Sequence, residues 1–240
     1  MSEMLQPNDI VGMSFWLMTL AMAGAAAFFL LERRRVERRW QAALTTLGVA
    51  MLVSALSYVN LAGVWAVTGN VPTVYRFADW QLTVPLLAVT FYLVLGAVTK
   101  VPVALFWRLL VASAVLTAAG YLGSAGFVSP TLGFLVALAG GLYILGEIYL
   151  GEAGRLNASS GNQKAQTAFN AMRLIATIGW AIYPLGYFME YLGGGVDNEA
   201  INLIYNLADF LNKLAFGLIV WQVAANDREA DGHRSPLSGA

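Results

Sequence analysis

The sequence predicts an all-α membrane protein, a bundle of seven transmembrane helices with an extracellular N-terminus and a cytoplasmic C-terminus. Three observations carry this. The chain has 240 residues, of which 58% are hydrophobic and only 12% charged, against about 25% charged in soluble domains. It contains seven apolar segments of about 20 residues or more, each long enough to cross a bilayer. Its basic residues fall almost entirely on one side of that arrangement. With no cysteine in the chain, disulfides and thiolate metal sites are excluded. The single histidine, His233, sits in a polar tail, which argues against a histidine metal site. No nucleotide-binding loop or nucleic-acid patch is present.

The segments run roughly 11–31, 42–65, 74–97, 102–123, 127–150, 168–192 and 200–225. Segment one follows ten residues that are polar and lack a basic n-region, so it is expected to be a retained helix and not a cleaved signal peptide. Arg33, Arg34, Arg35, Arg38 and Arg39 follow it, a topology signal at the level of the lipid headgroups. Segments two and three are joined by Gly69-Asn70-Val71-Pro72. Lys100 follows segment three, and Arg108 lies in the first turns of segment four. Segment five carries Glu147 near its end. Arg155 and Lys164 link segments five and six, and Arg173 is near the start of six. Gly193-Gly194-Gly195 separate segment six from segment seven, which Arg228 and Arg234 follow. Of the fourteen Lys and Arg residues, only Arg76 and Lys213 fall well inside a span. The other twelve share one side, which the positive-inside rule makes cytoplasmic. Residues 1–226 are expected to form one domain and 227–240 a polar cytoplasmic tail.

Charges inside the spans carry the functional signal. Lys213 lies in the almost wholly apolar stretch 201–219, four residues after Asp209, so the two share a helical face one turn apart. A lysine at mid-bilayer costs roughly 2.5 to 3.5 kcal/mol on insertion scales, and an intramembrane ionisable group points to function. Lys213 is either half of a buried ion pair or an amine that forms a Schiff base with a carbonyl ligand. Segment three adds Arg76, Asp79 and Thr83 at i, i+3, i+7, again one face. Arg76 and Lys213 balance Asp79 and Asp209 in charge, so a structural quartet is one reading. Buried pairs, however, contribute little net stability compared with apolar replacements. Trp180, Tyr183 and Tyr187 share a face of segment six beside Pro184, and Trp80 adds a ring next to Asp79. Beside a buried lysine such rings suit a pocket for a long conjugated ligand.

Three motifs, Tyr75-Arg76-x-x-Asp79-Trp80-x-x-Thr83-x-Pro85-Leu86, Trp180-x-x-Tyr183-Pro184 and Tyr205-Asn206-Leu207-Ala208-Asp209-Phe210-x-Asn212-Lys213, resemble the microbial rhodopsins, and the last is most similar to the proteorhodopsins. The resemblance spans segments two to seven. It implies all-trans retinal bound covalently on Lys213 as a protonated Schiff base. It makes Asp79 the primary counterion and proton acceptor, Asp209 the second counterion and Arg76 the gate to outward release. Trp80, Trp180, Tyr183, Pro184 and Tyr187 would cage the retinal. Leu87 lies where proteorhodopsins set their colour, and leucine resembles the green-absorbing group. Chloride-pumping relatives lack the aspartate and sodium-pumping relatives have Asn there, so Asp79 with Thr83 fits proton pumping. The implied protein is a light-driven ion transporter and not an enzyme, in the inner (cytoplasmic) membrane, as a homo-oligomer of pentamer or trimer type.

The chain departs from the proteorhodopsin pattern twice. The proton donor, a carboxylic acid eleven residues after the counterion, is here Thr90, about 16 Å further along the helix at 1.5 Å per residue. A threonine hydroxyl does not give up its proton at physiological pH. The motif is therefore Asp-Thr-Thr, and reprotonation is expected to be slow and to come from the cytoplasm, with Glu147 the one nearby substitute. The histidine that partners the counterion aligns with Ser57, so Asp79 is expected to have no imidazole partner. A photosensor signalling to a partner protein is the alternative that Thr90 leaves open, and the short tail argues against it. A light-independent receptor or transporter is a third reading. A carotenoid antenna could use space at Gly133, Gly140 and Gly141, but Phe134 matches the position that is glycine in antenna-binding relatives.

Overall fold

The computed structural model describes residues 8–232. Helix α1 (Ile10–Glu32) is followed by α2 (Arg38–Thr68), a 3₁₀ turn (Thr73–Arg76), α3 (Phe77–Val98), α4 (Val103–Ser124) and α5 (Pro130–Tyr149). A short α6 (Glu152–Ser159) precedes α7 (Gln163–Trp180), which continues through α8 (Ile182–Tyr187) into a π turn (Phe188–Leu192). The last crossing is α9 (Asn198–Asp209), a π turn (Phe210–Ala215) and α10 (Phe216–Gly232). Among the described residues there is no strand. The tail assigned to 227–240 begins inside α10. His233 and Arg234 lie outside the described residues, and so does the side chain of Arg228.

Helix starts follow local chemistry. Asp9, Ser129, Asn162 and Asp197 each accept from a backbone N–H three residues on, at 2.7, 3.3, 3.0 and 2.8 Å, which satisfies donors that a first turn leaves open. Gly69, at φ 62°, ends α2 in the left-handed conformation that costs glycine nothing.

Six helical stretches are long and apolar enough to cross a membrane on their own. The sixth crossing is the exception for two reasons. Its first turns are polar (Gln163, Lys164, Gln166). Its helix also breaks after Trp180, where Pro184 has no N–H to offer the carbonyl four residues back and its ring crowds that carbonyl. The helices also run beyond the apolar segments. α2 starts four residues before position 42 and α7 five before 168, because hydropathy marks the bilayer core and not the helix ends.

The burial pattern is that of a bundle in lipid. Large apolar side chains such as Leu17, Leu20, Leu56, Leu132 and Leu185 are exposed, whereas Ser54, Arg76, Asp79, Thr83, Asn202, Asn206, Asp209, Asn212 and Lys213 are buried. Without water in the hydrocarbon region, polar groups must find partners inside the bundle. Opposite ends are fastened differently. At one end the Trp65 indole donates to Asp9 at 2.9 Å and the Asn198 amide to the Gly69 carbonyl at 3.2 Å. At the other, Trp40 and Arg39 both reach Asp227 at 2.8 Å, and Lys164 donates to the Asn226 carbonyl at 3.1 Å. The second end carries the basic residues.

Two glycines expected to open space instead let helices touch. A Cβ on Gly133 would lie 2.7 Å from the Gly123 Cα, and one on Gly140 would lie 3.1 Å from the Ala112 carbonyl oxygen. Both glycines therefore serve the close approach of α4 and α5. Only Gly141 of the three lines the central cavity.

Candidate functional site: a lysine between two carboxylates

The face predicted from spacing runs from the end of the 3₁₀ turn into α3. Arg76, Asp79 and Thr83 are all buried and point into the bundle. Opposite them, Asp209 ends α9 and Lys213 lies in the π turn that follows. Such turns widen the helix by one residue and concentrate at functional positions. The widened turn needs room, which Gly179 of α7 provides: a Cβ there would fall 1.7 Å from Asn212 Oδ1.

Lys213 Nζ contacts three acceptors. It forms salt bridges to Asp79 Oδ2 and, at 3.0 Å, to Asp209 Oδ2, and it donates to Ser54 Oγ at 2.9 Å. The side chains of the three charged residues are at most 2% exposed. Around this centre the two carboxylates differ. Asp209 is held by aromatic donors: Tyr58 at 2.9 Å on Oδ2, Tyr183 at 2.7 Å and Trp80 at 3.3 Å on Oδ1. Among the described residues Asp79 accepts from one further side chain, Ser54, at 2.8 Å on Oδ1. A carboxylate with three such donors besides the lysine is held more firmly than one with a single hydroxyl.

Arg76 is placed differently from the charge quartet that composition suggested. Among the described residues it makes no salt bridge. Its Nη2 donates to Asn202 Oδ1 and Asn206 Oδ1, both at 2.8 Å, and its guanidinium lies 5.4 Å from the ring centroids of Phe15 and Tyr205. The link back to the carboxylates is Tyr58, whose hydroxyl accepts from Arg76 Nη1 at 3.4 Å while donating to Asp209. Asn206 extends the chain outward by donating to Ser14 Oγ at 2.8 Å. The reason is rotational: the asparagines occupy the same stripe as Asp209 and Lys213, at positions 202, 206, 209 and 213, one face of a helix.

Thr83 donates to the Asp79 backbone carbonyl at 3.1 Å, one turn back, and so braces the turn that carries the carboxylate. Thr90 is fully buried and donates to the Leu86 carbonyl at 2.8 Å. Its neighbour Phe91 packs edge-on against Phe169 at 5.2 Å and Phe216 at 5.5 Å. Glu147 is not a solvated headgroup-level acid. Its Oε1 accepts from the backbone N–H of Glu152 at 2.7 Å and of Ala153 at 3.2 Å, capping α6, and Arg108 lies 3.5 Å away. Ser57, the aligned partner position, is only half-buried, and the hydroxyl on Asp79 is that of Ser54.

Beside Lys213 lies a cavity of about 240 Å³. Trp80, Leu87, Trp180, Tyr183, Pro184 and Tyr187, all expected from sequence, line it, and so does Lys213. Lys213 is the sole charged residue among the lining. Trp80 meets Tyr183 edge-on at 4.9 Å, and Phe134 stacks on Tyr187 at 5.9 Å. An apolar slot walled by rings, with one primary amine at its wall and two anions behind that amine, fits a long apolar carbonyl compound.

The chain belongs to the bacteriorhodopsin-like protein family. The family model matches residues 9–227. A blue-light absorbing proteorhodopsin of Gamma-proteobacterium Hot 75m4 is 46% identical over 93% of this chain and 89% of its own length. A green-light absorbing proteorhodopsin of Gamma-proteobacterium EBAC31A08 is 44% identical over 93% and 90%. Among solved structures, a blue light-absorbing proteorhodopsin from Med12 is 41% identical with a TM-score of 0.77, covering 91% of this chain and all (100%) of that one. Exiguobacterium sibiricum rhodopsin, at 28% identity, has a TM-score of 0.81 and covers 92% and 98%. This bacteriorhodopsin-like chain is thus a multi-pass membrane protein of the seven-helix rhodopsin fold.

Ser54, Tyr58 and Asn202 escaped the sequence reading, and Asn206 stood in the third motif without a role. Tyr58 lies one turn after Ser54, and the asparagines continue the Asp209 stripe, so polar periodicity within apolar spans was the available signal. The ion-pair geometry yields a stability test. Lys213→Ala leaves two buried carboxylates without their cation and should lower the stability of the retinal-free protein by about 3 kcal/mol. Adding Asp79→Asn should return most of it. Unfolding in detergent measures both, and a Lys213→Ala protein as stable as the parent would contradict the pairing.

Proposed function

We propose that this protein is a light-driven outward proton pump that carries all-trans retinal on Lys213. The observation that supports it best is Lys213 Nζ, set between two unequally held carboxylates at the wall of an apolar, ring-lined cavity. Retinal, when bound through Nζ, supplies light absorption and a light-driven change of geometry at that nitrogen. The remaining work falls to the chain. Asp79 takes the proton that leaves Nζ, because its carboxylate touches Nζ and has one hydroxyl donor besides. Asp209, fixed by Tyr58, Tyr183 and Trp80, stays an anion and keeps the site electrically balanced. Trp80, Trp180, Tyr183, Pro184 and Tyr187 hold the ligand in one pose, and the Phe134 ring on Tyr187 speaks against a carotenoid antenna at that wall.

Direction follows from what lies on each side. Outward, Tyr58, Arg76, Asn202, Asn206 and Ser14 form a chain of polar groups in hydrogen-bond contact. That chain meets the carboxylate pair through Tyr58 on Asp209, and a proton passed outward from the pair has partners that way, with Arg76 as the gate. Inward lie Thr90, tied to its own helix, and the Phe91–Phe169–Phe216 cluster. Among the described residues no carboxylate hydrogen-bonds to Thr90, and Glu147 is committed to its cap. The motif of acceptor, threonine and donor position is then Asp79, Thr83, Thr90, and the returning proton comes from cytoplasmic water. Thr90 is the one residue that speaks for a photosensor, and it fits a slow pump equally well. The site of action is the inner (cytoplasmic) membrane of the cell.

Illumination of retinal-supplied cells expressing the protein should acidify the medium, and a protonophore should abolish the signal. Asp79→Asn should absorb further to the red and not acidify. Transport retained in Asp79→Asn, or alkalinisation by the parent, would refute the assignment. The donor reading has its own test in the decay of the deprotonated photoproduct. That decay should slow about tenfold per pH unit in the parent, as the proton source becomes dilute, and become fast and nearly flat below the donor's pKa in Thr90→Glu. Glu147→Gln should leave it unchanged. A parent that is fast and flat, and slowed by Glu147→Gln, would make Glu147 the donor.

A further inference from the structure

We propose that Ser54 is the positioning residue of the proton acceptor, taking the place of the imidazole partner this chain lacks. Its hydroxyl is completely buried and stands at the one point that touches both ends of the proposed proton transfer. Oγ–H donates to Asp79 Oδ1 at 2.8 Å, and Oγ accepts from Lys213 Nζ at 2.9 Å. A hydroxyl has one donor and two acceptor positions, and both contacts are satisfied at once. The proposal rests on the pump reading and deepens it.

The geometry defines the role. With Oδ1 occupied by Ser54, Asp79 is oriented so that Oδ2 faces Nζ. A carboxylate rotates freely about its last torsion unless something holds it, and Asp79, unlike Asp209, has no second side chain for that purpose. Once Lys213 is bound through Nζ it keeps a single N–H, which cannot serve Ser54, Asp79 and Asp209 together. Ser54 then retains its bond to Asp79 and decides which carboxylate competes best for that hydrogen. The other charged and titratable groups facing Asp79 are Lys213 and Asp209 from the last crossing, Tyr58 from α2 and Arg76 one turn outward. Of the two carboxylates Tyr183 of α8 reaches Asp209 and not Asp79, and its hydroxyl accepts from the Asn212 amide. None of these occupies Oδ1, so none substitutes for Ser54.

Two readouts test this with wild type, Ser54→Ala and Ser54→Thr. In the retinal-bound proteins, the acid-induced red shift should set in about one pH unit higher in Ser54→Ala, the tenfold change in proton affinity expected when a carboxylate loses a hydrogen bond to its charged form. Formation of the deprotonated photoproduct should slow several-fold. Ser54→Thr keeps the hydroxyl and should follow wild type in both. In the retinal-free proteins, infrared titration of the carboxylic acid band, assigned by its loss in Asp79→Asn, should show the same displacement in Ser54→Ala only. Failure of wild type to take up retinal would overturn the pump reading, while the infrared titration would still decide on Ser54. Identical titrations in wild type and Ser54→Ala, or Ser54→Thr displaced as far as Ser54→Ala, would overturn the role given to Ser54.

Discussion

An ammonium group held between two carboxylates inside a membrane is costly to bury and worth little as glue. Each ion gives up its hydration, and the attraction returned seldom exceeds what apolar side chains would supply. The bundle is nonetheless organised around this cluster. Lys213 joins Asp79 of α3 to Asp209 of its own crossing. Tyr58 and Ser54 bring in α2, and Tyr183 brings in the sixth crossing. Even the irregular backbone serves it: the π turn carries Lys213, and Gly179 makes room for Asn212.

Inequality of the two carboxylates gives the cluster a use beyond cohesion. Equal partners would share a proton without preference. Here Asp209 is surrounded by aromatic donors and Asp79 by one serine, so in the proposed pump a proton leaving Nζ has a defined destination. Polar groups continue outward from the cluster through Tyr58 on Asp209, while phenylalanines lie on the other side. Asymmetry at both scales, between carboxylates and between halves of the membrane, is what vectorial transport requires of a static scaffold.

Sequence made the fold and the centre of the site readable because ionisable residues in apolar spans are rare. Asp79, Asp209 and Lys213 stood out by chemistry and by helical spacing, and so did the rings of segment six. Partnerships across helices were less accessible, since they depend on how each helix is rotated in the bundle. Charge balance left a quartet of Arg76 with the aspartates open as one reading, yet the neighbours of Arg76 are asparagines that carry no charge to flag them. Ser57 and Ser54 differ by three residues, a rotation of about 60°, which separates a half-buried position from one on the counterion. Glu147 stood out as a substitute donor because its cap on α6 involves backbone N–H groups that no side-chain pattern reveals.

Chemical trapping at Lys213 tests the central claim most directly. Borohydride reduction of the retinal-bound protein converts an imine to a stable secondary amine, and mass spectrometry of the cleaved chain locates it. The account predicts a single retinyl adduct, on the peptide containing Lys213, with Lys100 and Lys164 unmodified. An adduct on either of those lysines, or none on Lys213 in protein that has taken up colour, would contradict it.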